Sequence, residues 1–120
     1  MVKNHKYTKY VKSNSDIVIT DIYSEDYPKI LKDIYSAPIV LYHIGDIPKE
    51  CMVSVVGSRN PTSYGIRCTE NLSENLSLQG FTIVSGMAKG IDGVSHVSAL
   101  KHGNSVGVLG NGLKICYPSE

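Results

Sequence analysis

Three short segments hold the residue types that could do chemistry: Gly57-Ser58-Arg59-Asn60, Ser85-Gly86-Met87-Ala88-Lys89-Gly90-Ile91-Asp92, and Gly110-Asn111-Gly112. Each opens with a small residue, so backbone N–H groups can approach a ligand closely. Arg59 and Lys89 add a full positive charge to two of them. Exposed amides beside isolated cations suit the holding of an anion, most naturally a phosphate. The candidate contacts are Gly57, Ser58, Arg59, Ser85, Gly86, Lys89, Gly90, Gly110, Asn111 and Gly112. Arg59 is the sharpest of them, because a guanidinium directly after Gly-Ser has few structural uses. The glycines say less, since tight turns need them whatever the function.

Bond-breaking chemistry finds fewer supports. An enzyme needs a nucleophile beside a base, or two facing carboxylates. Near these segments only Ser58, Ser85, Asp92 and His96 come into question. The serines read as hydrogen-bond donors or turn formers, Asp92 as an acid that offsets a helix dipole, and His96 as a histidine bonded beneath a loop. No catalytic residue, metal or cofactor is expected. G-x-G-x-x-G is missing after the first strand and no acid ends the second, which disfavours a dinucleotide; G-x-x-x-x-G-K-[ST] is missing too.

The residues between these segments must bring them together. Met52 to Val56 is a β-branched run ending at Gly57. Cys68, Leu72 and Leu76 recur every four residues, which predicts a helix with those three on its inner stripe, and Gly80 stands where a left-handed cap belongs. Phe81 to Val84 reads as a second strand. Ile91 to His102 reads as a helix with Val94 and Val97 inward, followed by Gly103, and Ser105 to Leu109 reads as a third strand. Upstream, Tyr27-Pro28 opens a helix with Leu31, Ile34 and Tyr35 on one side. It stops before Pro38 and is followed by a strand from Ile39 to Ile44. Strand, glycine loop, helix, twice over, predicts an α/β, Rossmann-like fold: a mostly parallel sheet with helices on both faces, incomplete at the C-terminus. All three glycine segments would then lie at the carboxyl edge, where such sheets take ligands.

Composition bounds the rest. The chain has 120 residues, 42% hydrophobic and 19% charged, enough to bury roughly two-thirds of its unfolded surface around one core. No apolar run could cross a bilayer and Met1 to Ser15 has no signal-peptide core, so a soluble cytoplasmic protein is expected. Residues 1–15 carry Lys3, Lys6, Lys9 and Lys12 without an acid and read as a flexible basic tail, with 16–120 as the domain. Residues 16–50 carry a net −4 and residues 51–120 a net +1, so anion binding must come from a few placed groups rather than bulk charge. Cys51, Cys68 and Cys116 read as small buried hydrophobes, without disulfide or zinc.

The motifs also resemble those of the DNA-processing protein A (DprA, or Smf) family. The similarity runs through Tyr27-Pro28, Ala37-Pro38-Ile39-Val40-Leu41-Tyr42, Val53-Ser54-Val55-Val56-Gly57-Ser58-Arg59, Tyr64-Gly65 and Gly80-Phe81. It continues through Val84 to Asp92, His96, Ala99-Leu100, Val108 to Leu113 and Tyr117-Pro118, covering residues 17–118. What the resemblance implies is a non-enzymatic protein that binds single-stranded DNA in natural transformation and recombination and loads the RecA recombinase. Arg59, Lys89 and the loop amides would grip phosphates while apolar or aromatic side chains, Tyr64 best placed, receive bases. Ser119 stands where the family often has a basic residue. The chain ends at Glu120, before the strands with which members usually continue, so an open sheet edge and self-association are expected. Two other readings remain. A phosphoribohydrolase-type enzyme would need a P-G-G-x-G-T loop and a later glutamate, neither of them present; the other is an inactive remnant.

Overall fold

The computed structural model describes residues 16–49 and 51–113, so the expected tail, Cys116 and Ser119 lie outside the described residues. These residues fall into two compact units divided between Lys49 and Glu50. No helix among them is long and apolar enough to cross a membrane.

In the first unit, β1 (Ile17–Asp21) pairs antiparallel with β2 (Val40–Ile44), Ile17 lying opposite Ile44 and Asp21 opposite Val40. The β-branched Ile17-Val18-Ile19-Thr20 run explains β1, which the sequence reading did not anticipate. The helix expected from Tyr27 onward is a single turn, α1 (Lys29–Lys32), closed at Asp33. Ile34 and Tyr35 are therefore exposed instead of sharing an inner side with Leu31. Tyr27 is the anchor: it is 2% exposed, its hydroxyl donates to the Pro38 carbonyl at 2.7 Å, and the Lys32 ammonium lies 5.8 Å from its ring centroid. His43 Nδ1 donates to the Gly45 carbonyl at 2.6 Å, which leaves Nε2 to accept from the buried Thr20 hydroxyl at 2.9 Å.

The second unit runs β3 (Met52–Ser54), α2 (Ser63–Leu78), β4 (Thr82–Gly86), α3 (Ile91–Ala99) and β5 (Ser105–Val108). The strands are parallel in the order β3-β4-β5, with Val53 beside Ile83 and Ile83 beside Ser105. Two successive right-handed crossovers advancing in one direction place both helices on one face of the sheet, and α2 and α3 pack on each other there. A helical layer on the other face, part of the expected architecture, is not among the described residues. Val55, Ile83, Ile91 and Ala99 form the core, with Val53 and Leu76 packed against it.

The helix seam departs from the apolar spacing. Cys68 and Leu72 are exposed, and one residue on from them Thr69, Ser73 and Ser77 are buried. On α3, Val97 is exposed and Val94 half-buried, whereas Ile91, Ser95, Ser98 and Ala99 are buried. Small hydroxyl side chains let two helix backbones approach and can return a hydrogen bond to their own helix. Thr69 donates to the Gly65 carbonyl at 2.9 Å and Ser95 to that of Asp92 at 2.7 Å. The close seam therefore selects the small residues, and the larger Leu72 and Val97 are left outside. The expectation of buried cysteines fails for the same reason at Cys68, and Cys51, ahead of β3, is exposed as well.

Both ends of α2 follow from local chemistry. Thr62 Oγ1 accepts from the Gly65 N–H at 3.1 Å, a cap worth about 1 kcal/mol. At the other end Gly80 takes φ +86°. The Phe81 N–H reaches back to the Leu76 carbonyl and the Gly80 N–H to that of Ser77, both at 3.0 Å. This double closure is what a left-handed glycine cap provides.

Beyond α3, Lys101 and His102 tie the chain to α2. Lys101 Nζ lies 3.2 Å from Glu74 Oε2, and His102 Nε2 lies 3.0 Å from Glu74 Oε1. The bond from His102, then that from Lys101, hold the Glu74 pKa below the usual carboxylate range. A depressed folded-state value stabilises the fold at pH above the unfolded value, about 4.3, and that stability is lost as pH falls through the folded value. The melting-temperature gap between the unsubstituted chain and Glu74→Gln is accordingly expected at neutral pH and should close in acid. A gap unchanged down to pH 2 would contradict the assignment.

Candidate functional site

Because β3, β4 and β5 are parallel, the segments that follow them meet at one edge of the second unit. Their glycines show how they are fitted together. Gly90 has φ +86°, and a Cβ there would strike the Ser58 carbonyl oxygen and stand 2.8 Å from the carbonyl carbon of Arg59. Gly57 has the Ile91 side chain 2.8 Å from where its Cβ would be, and Gly86 has Asp92 Oδ2 at 2.7 Å. The Ile91 N–H also donates to the Ser58 carbonyl at 3.1 Å. Close approach between the first two loops thus accounts for Gly57 and Gly90, while Gly86 is crowded by an acid of its own loop; the approach also fixes the backbone that carries Arg59. Ser58 Oγ accepts from the Asn60 N–H at 3.1 Å, tightening the same turn.

Arg59, Met87, Ala88, Val108, Leu109, Gly110 and Asn111 line an open depression of about 450 Å³ on this edge. The structure therefore brings Arg59 together with two residues of the third segment, Gly110 and Asn111. Ser58 and Gly90 form the seam behind Arg59 and are not among the lining residues. Lys89 is exposed between Ala88 and Gly90 and does not line the depression, nor does Gly112. Gly110 and Gly112 have no atom within 4 Å of an added Cβ.

Ser85 is placed differently from the expectation. It is 2% exposed and its hydroxyl donates to the Val55 carbonyl at 2.5 Å, so this side chain ties β4 to the chain leaving β3. The Gly86 carbonyl meets His96 Nε2 at 3.0 Å, and His96 Nδ1 lies 2.6 Å from Ser105 Oγ. Asp92, 8% exposed, occupies the first turn of α3. Its charge offsets the positive helix end, so the positive field of the rim rests on Arg59 and Lys89. Tyr64, 71% exposed, sits in the first turn of α2 outside the depression, and its pKa is raised by the hydrogen bond and charge of Cys68 one turn on.

The apolar lining residues Met87, Val108 and Leu109 were not picked out from the sequence. Their one signal was that the strand ending at Val108 runs through Leu109 straight into the small, polar Gly110-Asn111. A guanidinium and a carboxamide beside apolar side chains can take a phosphate on one side and a sugar or base on the other. No group of three metal-ligating side chains occurs among the described residues.

Comparison with known proteins bears on the same chain. Two curated relatives are the DNA processing protein DprA of Bacillus subtilis, 42% identical over 82% of this chain and 35% of its own, and the Smf protein of Escherichia coli, 42% identical over 79% and 26%. The chain thus spans about a third or less of their length. Among solved structures, DprA of Streptococcus pneumoniae superposes with a TM-score of 0.85 at 33% identity, covering 98% of this chain and 41% of that one. DprA of Helicobacter pylori, whose structure is described as revealing a unique single-stranded DNA binding mode, superposes with a TM-score of 0.73 at 29% identity over 86% and 46%. These likenesses support the Rossmann-like reading of the sheet. The family model for DNA recombination-mediator protein A matches residues 18–120, and the chain belongs to that family.

Proposed function

We propose that this chain binds single-stranded DNA without turning it over, holding a phosphate at Arg59 and laying sugar and base over Met87, Val108 and Leu109. The observation that carries this is the convergence of Arg59 with the ends of β4 and β5 on one depression lined by a guanidinium together with apolar side chains. Two features favour binding over catalysis. The Asp92 carboxyl is buried beneath Gly86, and both ring nitrogens of His96 are engaged in hydrogen bonds. Lys89 supplies long-range attraction, since it is exposed next to Gly90 without entering the depression.

Fluorescence anisotropy with a labelled oligothymidine tests the reading. Affinity is expected to fall with salt at a slope of about −0.7 per phosphate engaged. Arg59→Ala should weaken binding roughly tenfold at low salt and make the slope shallower by about 0.7. Absence of binding at low salt, or an Arg59→Ala variant that binds as the unsubstituted chain does, would remove the proposal. The same reading places the chain in DNA uptake and recombination, with the bound strand passed to RecA. Capture of RecA by the chain with and without oligothymidine tests that step separately.

A further inference from the structure

We infer that Gly107 is a positioning residue for the depression, acting through the Met87 side chain. Gly107 lies inside β5, opposite Ser85 of β4, and is not among the residues that line the depression. Glycine is a poor strand residue, since it loses the most conformational freedom on folding and has no side chain to pack. The backbone does not ask for it either, because Gly107 is not one of the glycines at positive φ. Met87 is what uses the space. A Cβ at position 107 would stand 2.7 Å from Met87 Sδ and 3.1 Å from Met87 Cγ. Apart from its chain neighbours, no other described residue comes within 4 Å of that point. The thioether therefore lies in a seat made by the missing side chain.

The seat matters because methionine is unbranched and turns about three side-chain bonds, so ordering it on a surface costs conformational entropy. Met87 is 42% exposed and lines the depression with Arg59. Alternation along the strand turns Met87, two residues after Ser85, to the face that Ser85 shares with Gly107, and the thioether leans from there onto β5. Held in that way, its sulfur and methylene carbons offer a soft, polarisable surface whose ordering is completed when the chain folds and not when DNA arrives. A larger residue at position 107 would lift the thioether off β5 while leaving the Arg59 guanidinium in place. The inference rests on the DNA-binding function proposed above, in which Met87 meets sugar and base.

The test uses the whole chain and oligothymidine. The chain has three methionines, so ¹³C-methyl labelling reports on Met87, with Met87→Ala supplying the assignment. Oligothymidine is expected to shift the Met87 methyl resonance of the unsubstituted chain. Gly107→Val should move that resonance in the free chain and weaken binding about fivefold by anisotropy. Its melting temperature should not fall, because valine favours strands and the side chain it displaces is flexible. In a Met87→Ala background, Gly107→Val should change binding by less than about twofold, since both substitutions remove one and the same contact. Gly107→Ala, whose methyl meets the same sulfur, repeats the comparison with a smaller step should the valine variant not fold. Normal binding by both Gly107 variants, with Arg59→Ala impaired, overturns the inference and leaves the proposed function standing. An equal loss in the presence and absence of the Met87 side chain also overturns it, because Gly107 would then act by another route. No binding by the unsubstituted chain overturns the proposed function and this inference with it.

Discussion

Gly90→Ala is expected to lower the melting temperature by about 8 °C or more. The residue holds φ +86° and ψ −131°, a region that costs a side-chain-bearing residue about 1 to 3 kcal/mol. The added methyl would also overlap the Ser58 carbonyl oxygen and press on the Arg59 carbonyl carbon at 2.8 Å. Those obstacles are backbone atoms, which cannot rotate aside as a flexible side chain can, so overpacking adds about 1 to 3 kcal/mol more. Together they remove a large part of the 5 to 15 kcal/mol that holds a typical domain folded, at about 4 °C or more per kcal/mol. Gly112→Ala is the control, since nothing lies within 4 Å of its added methyl, and it should melt within about 2 °C of the unsubstituted chain. Should the two variants melt alike, the close approach between the first two loops is not what holds them.

Ile83→Ala is the second large effect. Ile83 is on the central strand of the parallel sheet, fully buried, and packed in the core with Val55, Ile91 and Ala99. Removing three carbons there forfeits transfer energy and leaves a cavity, for which about 2 to 5 kcal/mol is expected; Ile83→Val should lose about 0.5 to 1.5 kcal/mol. Denaturant unfolding reads this as a lower midpoint with an unchanged slope. Val108→Ala, on a side chain 59% exposed, provides the contrast, with a change of about 0.5 kcal/mol or less. If Ile83→Ala and Val108→Ala shift the midpoint equally, the core is not centred on β4.

The parallel arrangement was legible because its signals are local. A β-branched run, a glycine, a polar helix and a second run can pair in few ways, and Gly80 marked the end of α2 unambiguously. The helix seam was not legible. Apolar residues at a spacing of four are the usual sign of a buried stripe, but Thr69, Ser73 and Ser77 share that spacing and fit a closer approach. The choice between two stripes one residue apart is made by the partner helix, which a local pattern does not contain. In the first unit, Pro28 opened a helix as expected, but the burial of Tyr27 and its bond to Pro38 hold the chain more firmly than the weak helical turn that follows.

The site divided along similar lines. Arg59 could be singled out from charge and position alone, and the structure sets it on the depression beside Gly110 and Asn111. Gly57, Gly86 and Gly90 were read for ligand approach, yet their neighbours Ile91, Asp92 and Ser58 already require glycine. Ser85 was misplaced because strand alternation turns it toward the helix layer, where its hydroxyl meets Val55. Sequence order alone does not reveal which of two adjacent small residues faces inward.

The three strand ends follow one another without a reversal of order. Neighbouring strands stand about 4.8 Å apart, so the whole rim is only about 10 Å across. On the proposed function, so narrow a footprint would hold only a very short stretch of polymer, with no reading of the letters on either side. One copy could release and re-engage along a strand with little friction, and coating a long strand would call for many copies acting side by side.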